Sequence, residues 1–98
     1  MAKGYWIGRG DIHDETAYQN YIRANAAAFE KFGARFIIRG GEFESVEGSA
    51  RGRNVVIEFP SYKDALDCYH SEEYKQAMAY RAPPIAEADI IVIGGYEG

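Results

Sequence analysis

The run Ile90-Ile91-Val92-Ile93 places the tightest limit on the fold. Successive side chains of a strand point to opposite faces, so this strand is apolar on both. A strand wetted on one side alternates apolar with polar; one that does not is covered on both sides. The pattern recurs in RNVVIEF, residues 53–59. There Val55, Ile57 and Phe59 share one face, and Val56 and Glu58 the other. A chain of 98 residues has room for one domain, residues 1–98, and buries roughly 60–65% of its unfolded surface. Its helical segments suffice for one face of a sheet, so a second body must cover the other.

The order of elements follows from local signals. GYWIGRGDI, residues 4–12, is rich in aromatic and β-branched residues and predicts a strand. Asp14 then caps a helix with Glu15 in its first turn, where an acid suits the helix dipole. Tyr18, Ile22, Asn25, Phe29 and Phe32 form the stripe of an amphipathic helix, widened by Tyr21, Ala24 and Ala28. Gly33 stops it. Residues 34–47 predict a second strand, with a bulge or a close backbone approach at Gly40-Gly41, then a turn at GSARG and the third strand. In that second strand Phe36 and Ile38 are expected toward the helices, and Ile37, Arg39 and Phe43 on the opposite face.

Pro60 ends the third strand, and Ser61-x-x-Asp64 caps a short helix with Tyr62, Ala65, Leu66 and Tyr69 on its apolar side. Ser71 opens a further helical segment carrying Tyr74, Ala77, Met78 and Arg81, which Pro83-Pro84 ends. ADIIVIGGY, residues 88–96, is the fourth strand. The order β-α-β-β-α-β is the ferredoxin-like arrangement, an α+β class with helices on one face of an antiparallel sheet. The simplest cover for the second face is another copy of the chain, making a homodimer.

The blocks RFIIRGGEFESVEG, VVIEFPSYKDAL and CYHSEEYKQAMAYR carry a resemblance that spans nearly the whole chain. They are similar to the family called domain of unknown function 1330, within the group of dimeric α+β barrels. That resemblance implies the ferredoxin-like fold and a two-fold dimer. The wider group includes cofactor-free monooxygenases, isomerases, haem-handling proteins and stress proteins.

Composition excludes several functions. A net charge of −4 with scattered basic residues disfavours nucleic acid. One cysteine forms no intrachain disulfide and is too few for a zinc cluster. No apolar run approaches the ~20 residues of a membrane span, and the first residues lack a signal core, so a cytoplasmic location is expected. Arg9-Gly10-Asp11 falls within a strand, and GRGDIH is only half of a dinucleotide fingerprint. His13-Asp14-Glu15 has ligand-type residues whose side chains point apart, so no metal and no cofactor are expected.

Chemistry is concentrated in two places. Arg39 and Glu58 are polar positions in otherwise apolar strands, both assigned to the second face. In a functional reading Arg39 binds an anionic or carbonyl group and Glu58 moves a proton; in a structural one they fix register or assembly. Around the helix joint stand Tyr69, His70, Tyr74 and Arg81, the last two sharing a helical face. His70 is a general base, a haem ligand or a joint histidine with a structural partner. Cys68 is a small packing residue, since Cys68 and His70 do not converge on a ligand. Trp6, Tyr18 and Tyr21 are core aromatics that would line a cavity if one exists, and Asn25 is a core or pocket polar group.

The first functional reading is a dimer binding a small carboxylate- or phenol-like molecule in a pocket beside the barrel, with cofactor-free proton transfer open to it. Catalysis would fall to His70 and Glu58, binding to Arg39, Tyr69, Tyr74 and Arg81. The alternative is a non-catalytic, stress-associated or structural dimer module; haem binding through His70 is a third. A pocket of about 300 Å³ or more lined by Arg39 separates the first from the second.

Overall fold

The computed structural model describes residues 2–98. Its elements are β1 (Gly4–Ile12), α1 (Glu15–Lys31), β2 (Arg35–Arg39), β3 (Arg53–Phe59), α2 (Tyr62–His70), α3 (Glu72–Met78), a 3₁₀ turn at Ala79–Arg81 and β4 (Ala86–Gly94). The strands make one antiparallel sheet in the order β2-β3-β1-β4. The chain thus has the expected α+β, ferredoxin-like architecture, with β3 placed between β1 and β2.

The capping signals act as read. The Asp14 carboxylate accepts the Ala17 N–H at 3.0 Å, and Gly33 ends α1 at φ +72°, a conformation glycine adopts without penalty. Ser61 Oγ accepts the Asp64 N–H at 3.0 Å and starts α2. Ser71 serves both neighbours: its hydroxyl donates to the Cys68 carbonyl at 2.7 Å and accepts the Tyr74 N–H at 3.1 Å.

The helices cover the sheet face that carries Trp6, Ile57 and Phe59. Trp6 is 2% exposed; its indole N–H donates to the Ala65 carbonyl at 2.8 Å, and its ring meets Phe29, Phe59, Tyr69 and Tyr74. Cys68 is fully buried, its thiol 3.7 Å from the Ala28 carbonyl oxygen, and burial pushes its pKa up to about 12. It is a packing residue.

The second strand departs from expectation. It ends at Arg39, not near residue 47, and its register with β3 shifts between Phe36 and Ile38. The bulge therefore lies at Ile37, not at Gly40-Gly41. Gly40, at φ +66°, turns the chain out of the ladder, and residues 40–52 follow without regular structure. Phe43 and Val46 lie exposed there.

One extra residue reverses the side-chain alternation beyond it. Ile38 pairs with Val56 on the open face, and Arg39 pairs with Val55 on the helix face. The placement of Arg39 beside Glu58 is thereby corrected: Arg35 is the residue opposite Glu58.

The open face is apolar. Ile7, Ile37, Ile38, Ile91 and Ile93 are between 36% and 55% exposed in the single chain. Glu58 is the acid among them, accepting the Tyr5 hydroxyl at 3.2 Å and standing 3.9 Å from Arg35.

Candidate functional site

A narrow cleft opens between α1 and the helix face of the sheet. Its floor comes from alternate positions of the strands: Trp6, Gly8 and Gly10 of β1, Val55 and Ile57 of β3, and Ala88 and Ile90 of β4. The outer floor positions are glycine and alanine, and a side chain on Gly10 would meet the Glu87 carbonyl oxygen at 2.8 Å. The α1 wall presents Tyr18, Tyr21, Ile22, Asn25 and Phe29. The free volume is about 60 Å³. That holds a few water molecules and falls well below the ~300–1,000 Å³ of an open small-molecule pocket.

The lining has one sign of charge. Its ionic residues are Arg9, Arg39, Arg53 and Arg81, and no aspartate, glutamate or histidine lines it. Among the described residues Arg39, Arg53 and Arg81 make no ion pair. They lie against rings instead: Arg39 over Phe36 at 4.2 Å, Arg53 over Tyr18 at 5.9 Å, and Arg81 over Tyr21 at 5.5 Å. In a chain of net charge −4 this is a local concentration of cations without counter-ions.

Hydrogen bonding at the inner end is directional. Arg81 Nε and Nη2 approach the Tyr74 hydroxyl oxygen at 3.3 and 3.1 Å, and the Tyr74 and Tyr21 hydroxyls are 2.8 Å apart. Burial works against the Arg81 charge, and its contacts with Tyr74 and Tyr21 outweigh that, holding it above its ordinary value. Burial likewise raises Tyr74 and Tyr18, so both keep their protons at neutral pH. Asn25 is 6% exposed and lines the cleft, yet its amide makes no hydrogen bond to any described residue. That amide is open to the cleft: no buried side-chain polar atom among the described residues lacks a partner.

Of the residues expected from sequence, Arg39, Tyr74 and Arg81 meet at or immediately behind this cleft. Tyr69 packs edge-on against Trp6 and does not line it. His70 is exposed at the end of α2, its ring 5.4 Å from that of Tyr69, and also lies outside the lining. Glu58 is on the opposite face of the sheet. Arg53 is the residue that the sequence reading passed over. The alternation that turns Val55, Ile57 and Phe59 toward the helices includes it, and that parity was the available signal.

The architecture has known counterparts. A protein of unknown function from Rhodopseudomonas palustris, RPA0582, superposes with a TM-score of 0.77 at 14% identity, covering 99% of this chain and 85% of that one. SnoaB, a cofactor-independent oxygenase from Streptomyces nogalater, gives 0.64 at 11% identity over 100% and 97% of the two chains. A dimeric ferredoxin-like protein of unknown function from Thermobifida fusca gives 0.50 at 13% identity, over 94% and 90%. No curated protein matches the chain. The model of one family, domain of unknown function (DUF1330), matches residues 3–96. With nearly its whole length matched, and with the fold in place, the chain belongs to that family.

Proposed function

We propose that the chain binds a small organic anion, carboxylate- or phenol-like with a flat apolar body, in the cleft between α1 and the sheet. Asn25 carries this reading: a largely buried residue whose amide has no partner among the described residues and stays open to a cleft whose charged lining residues are arginines. A bound anion would supply the missing acceptor for both. The aromatic wall suits a planar ligand. At about 60 Å³ the cleft falls short of the ~300 Å³ that separates a binding protein from a packed structural dimer, so on volume alone the structural module is favoured and the binding reading requires movement at the rim. Arg39 is exposed there on a flexible side chain and is the natural gate.

The chemistry on offer is donation rather than proton abstraction. The tyrosines, arginines and Asn25 stabilise negative charge, and no side chain of the lining is a base at neutral pH. A substrate would have to enter already ionised or be acidic enough to ionise there. Cofactor-free oxygenation, the activity named for SnoaB, begins from such an anion; the likeness at 11% identity supports the fold and leaves the reaction as part of the proposal. The alternative remains a non-catalytic, stress-associated or structural dimer module, in which the polar groups serve assembly alone.

The working unit is proposed to be a homodimer joined through the open sheet face, whose exposed isoleucines need cover. The Thermobifida fusca counterpart, dimeric by description, supports that arrangement.

Calorimetric titration with benzoate tests the cleft. Arg39→Met and Asn25→Leu should each weaken binding roughly tenfold or more, the scale of a lost hydrogen bond to a charged group. Arg35→Met, on the other face, should leave it unchanged. No binding by the unmodified chain, or equal binding in both cleft variants, would discard this function.

A further inference from the structure

In the hydrogen-bond chain Arg81–Tyr74–Tyr21 the geometry favours one proton order over the other. A guanidinium donates and never accepts. Two of its N–H groups point at the Tyr74 oxygen, which accepts from them at 3.3 and 3.1 Å. Tyr74 is fully buried and has no acceptor other than Tyr21 for its own proton among the described residues. It donates its own proton across the 2.8 Å contact, and the Tyr21 oxygen accepts it. The Tyr21 proton is left over, without a protein acceptor among the described residues.

Geometry says where that proton goes. Tyr21 lines the cleft and Tyr74 does not. Tyr21 and Asn25 are four residues apart on α1, adjacent on one helix face, and both are more than nine-tenths buried. The Asn25 amide is also unpartnered. Two donors thus converge on the same stretch of the cleft. One of them is polarised from behind, because each bond in such a chain strengthens the next.

We infer that Tyr21 and Asn25 form a two-donor site for the oxygen of a phenolate or enolate, with Arg81 and Tyr74 as positioning residues that aim the Tyr21 proton. This rests on the cleft being the ligand site and narrows its ligand: an acidic conjugated hydroxyl or carbonyl compound is favoured in its ionised form over its neutral form. Preorganised donors aimed at a developing oxyanion act in this way wherever water is kept out. Ionisation here needs no base from the chain. The O–H bond of the ligand breaks, its electron pair stays on oxygen, and the proton leaves to solvent.

The probe is 4-nitrophenol, whose ionised form absorbs in the visible. Titrating pH with the dye bound should show its apparent pKa lowered by about one unit or more relative to the free dye, a roughly tenfold preference for the phenolate. The arginines contribute to such a shift, so the variants carry the comparison. Tyr21→Phe should return most of the shift. Tyr74→Phe, which does not line the cleft, should return part of it by releasing the Tyr21 proton from its set direction. Benzoate titration and thermal melting of each variant show whether the cleft is intact. An unshifted dye in the unmodified chain, or an equal shift in folded Tyr21→Phe, would overturn the inference. Binding of benzoate without any binding of the dye would overturn it while leaving the cleft reading standing. If neither ligand binds, both fall.

Discussion

Ile37 decides which arginine reaches the cleft. Without the bulge there, Arg39 would share a face with Glu58. With it, Arg39 faces α1 and Arg35 takes the place beside Glu58. That pair is weak support for the fold, since Arg35 is largely exposed. Removing Arg39 strands no buried carboxylate, because Glu58 keeps Tyr5 and Arg35. Cys68 illustrates the opposite case, a side chain whose environment is wholly internal. Its folded pKa is raised to about 12 by burial, whereas an unfolded thiol titrates near 8.5. A raised folded value means that the folded state holds its proton longer. Its contribution is therefore fully present below about pH 8.5 and declines as pH rises toward the folded value, by up to about 1.4 kcal/mol per pH unit. Denaturant melts from pH 7 to 10 should show this decline, and Cys68→Ala should flatten it. An identical slope in that variant would place its origin in other groups.

At the scale of elements, the joint between α2 and α3 turns on Ser71, whose backbone N–H and hydroxyl both bond the Cys68 carbonyl. Ser71 Oγ satisfies the end of one helix and the start of the next. Losing an N-cap costs about 0.5–2 kcal/mol, and here the Cys68 carbonyl also loses one of its two donors while keeping the Ser71 N–H at 3.2 Å. Ser71→Ala should therefore destabilise by about 1–2 kcal/mol in chemical denaturation, with Ser71→Thr recovering most of it. An effect within about 0.5 kcal/mol would mean that water replaces both bonds. The joint also matters to the cleft. α3 carries Tyr74, and the turn after it carries Arg81, so the cap orients the element from which the inner donors hang. His70, one position before the cap, is exposed and contributes to neither task.

At the scale of the molecule, the two sheet faces differ in what they lack. The helix face is filled except at the cleft; the open face has no cover within the chain. Ile91 is 55% and Ile93 45% exposed, on the same side as Ile7 and Ile38. If a second copy covers them, sedimentation at micromolar concentration should give twice the chain mass of 11.0 kDa. The total buried interface should be about 2,000 Å² or more, the size of an obligate dimer. Ile91→Glu should yield a monomer of reduced stability, since it places a charge in the middle of that interface. A monomer from the unmodified chain would leave the open face to some other partner.

The sequence alone determined the class of fold, because its signals are local. Alternation, helix period, Asp14, Ser61 and Ser71 as caps, and Gly33 as a stop each act within a few residues, and the element order follows from them. The apolar character of the second face was legible in Ile90–Ile93 for the same reason. The composition of the cleft was only half legible: Arg39, Tyr74 and Arg81 stood out, while Arg53 was hidden at the start of a strand and Glu58 was assigned beside the wrong arginine. Only the tertiary structure decided those points. A bulge is one residue with no strong signature of its own, yet it exchanges the faces of everything beyond it. Proton order along Arg81–Tyr74–Tyr21 likewise depends on contacts between residues 53 positions apart, and no local pattern encodes it.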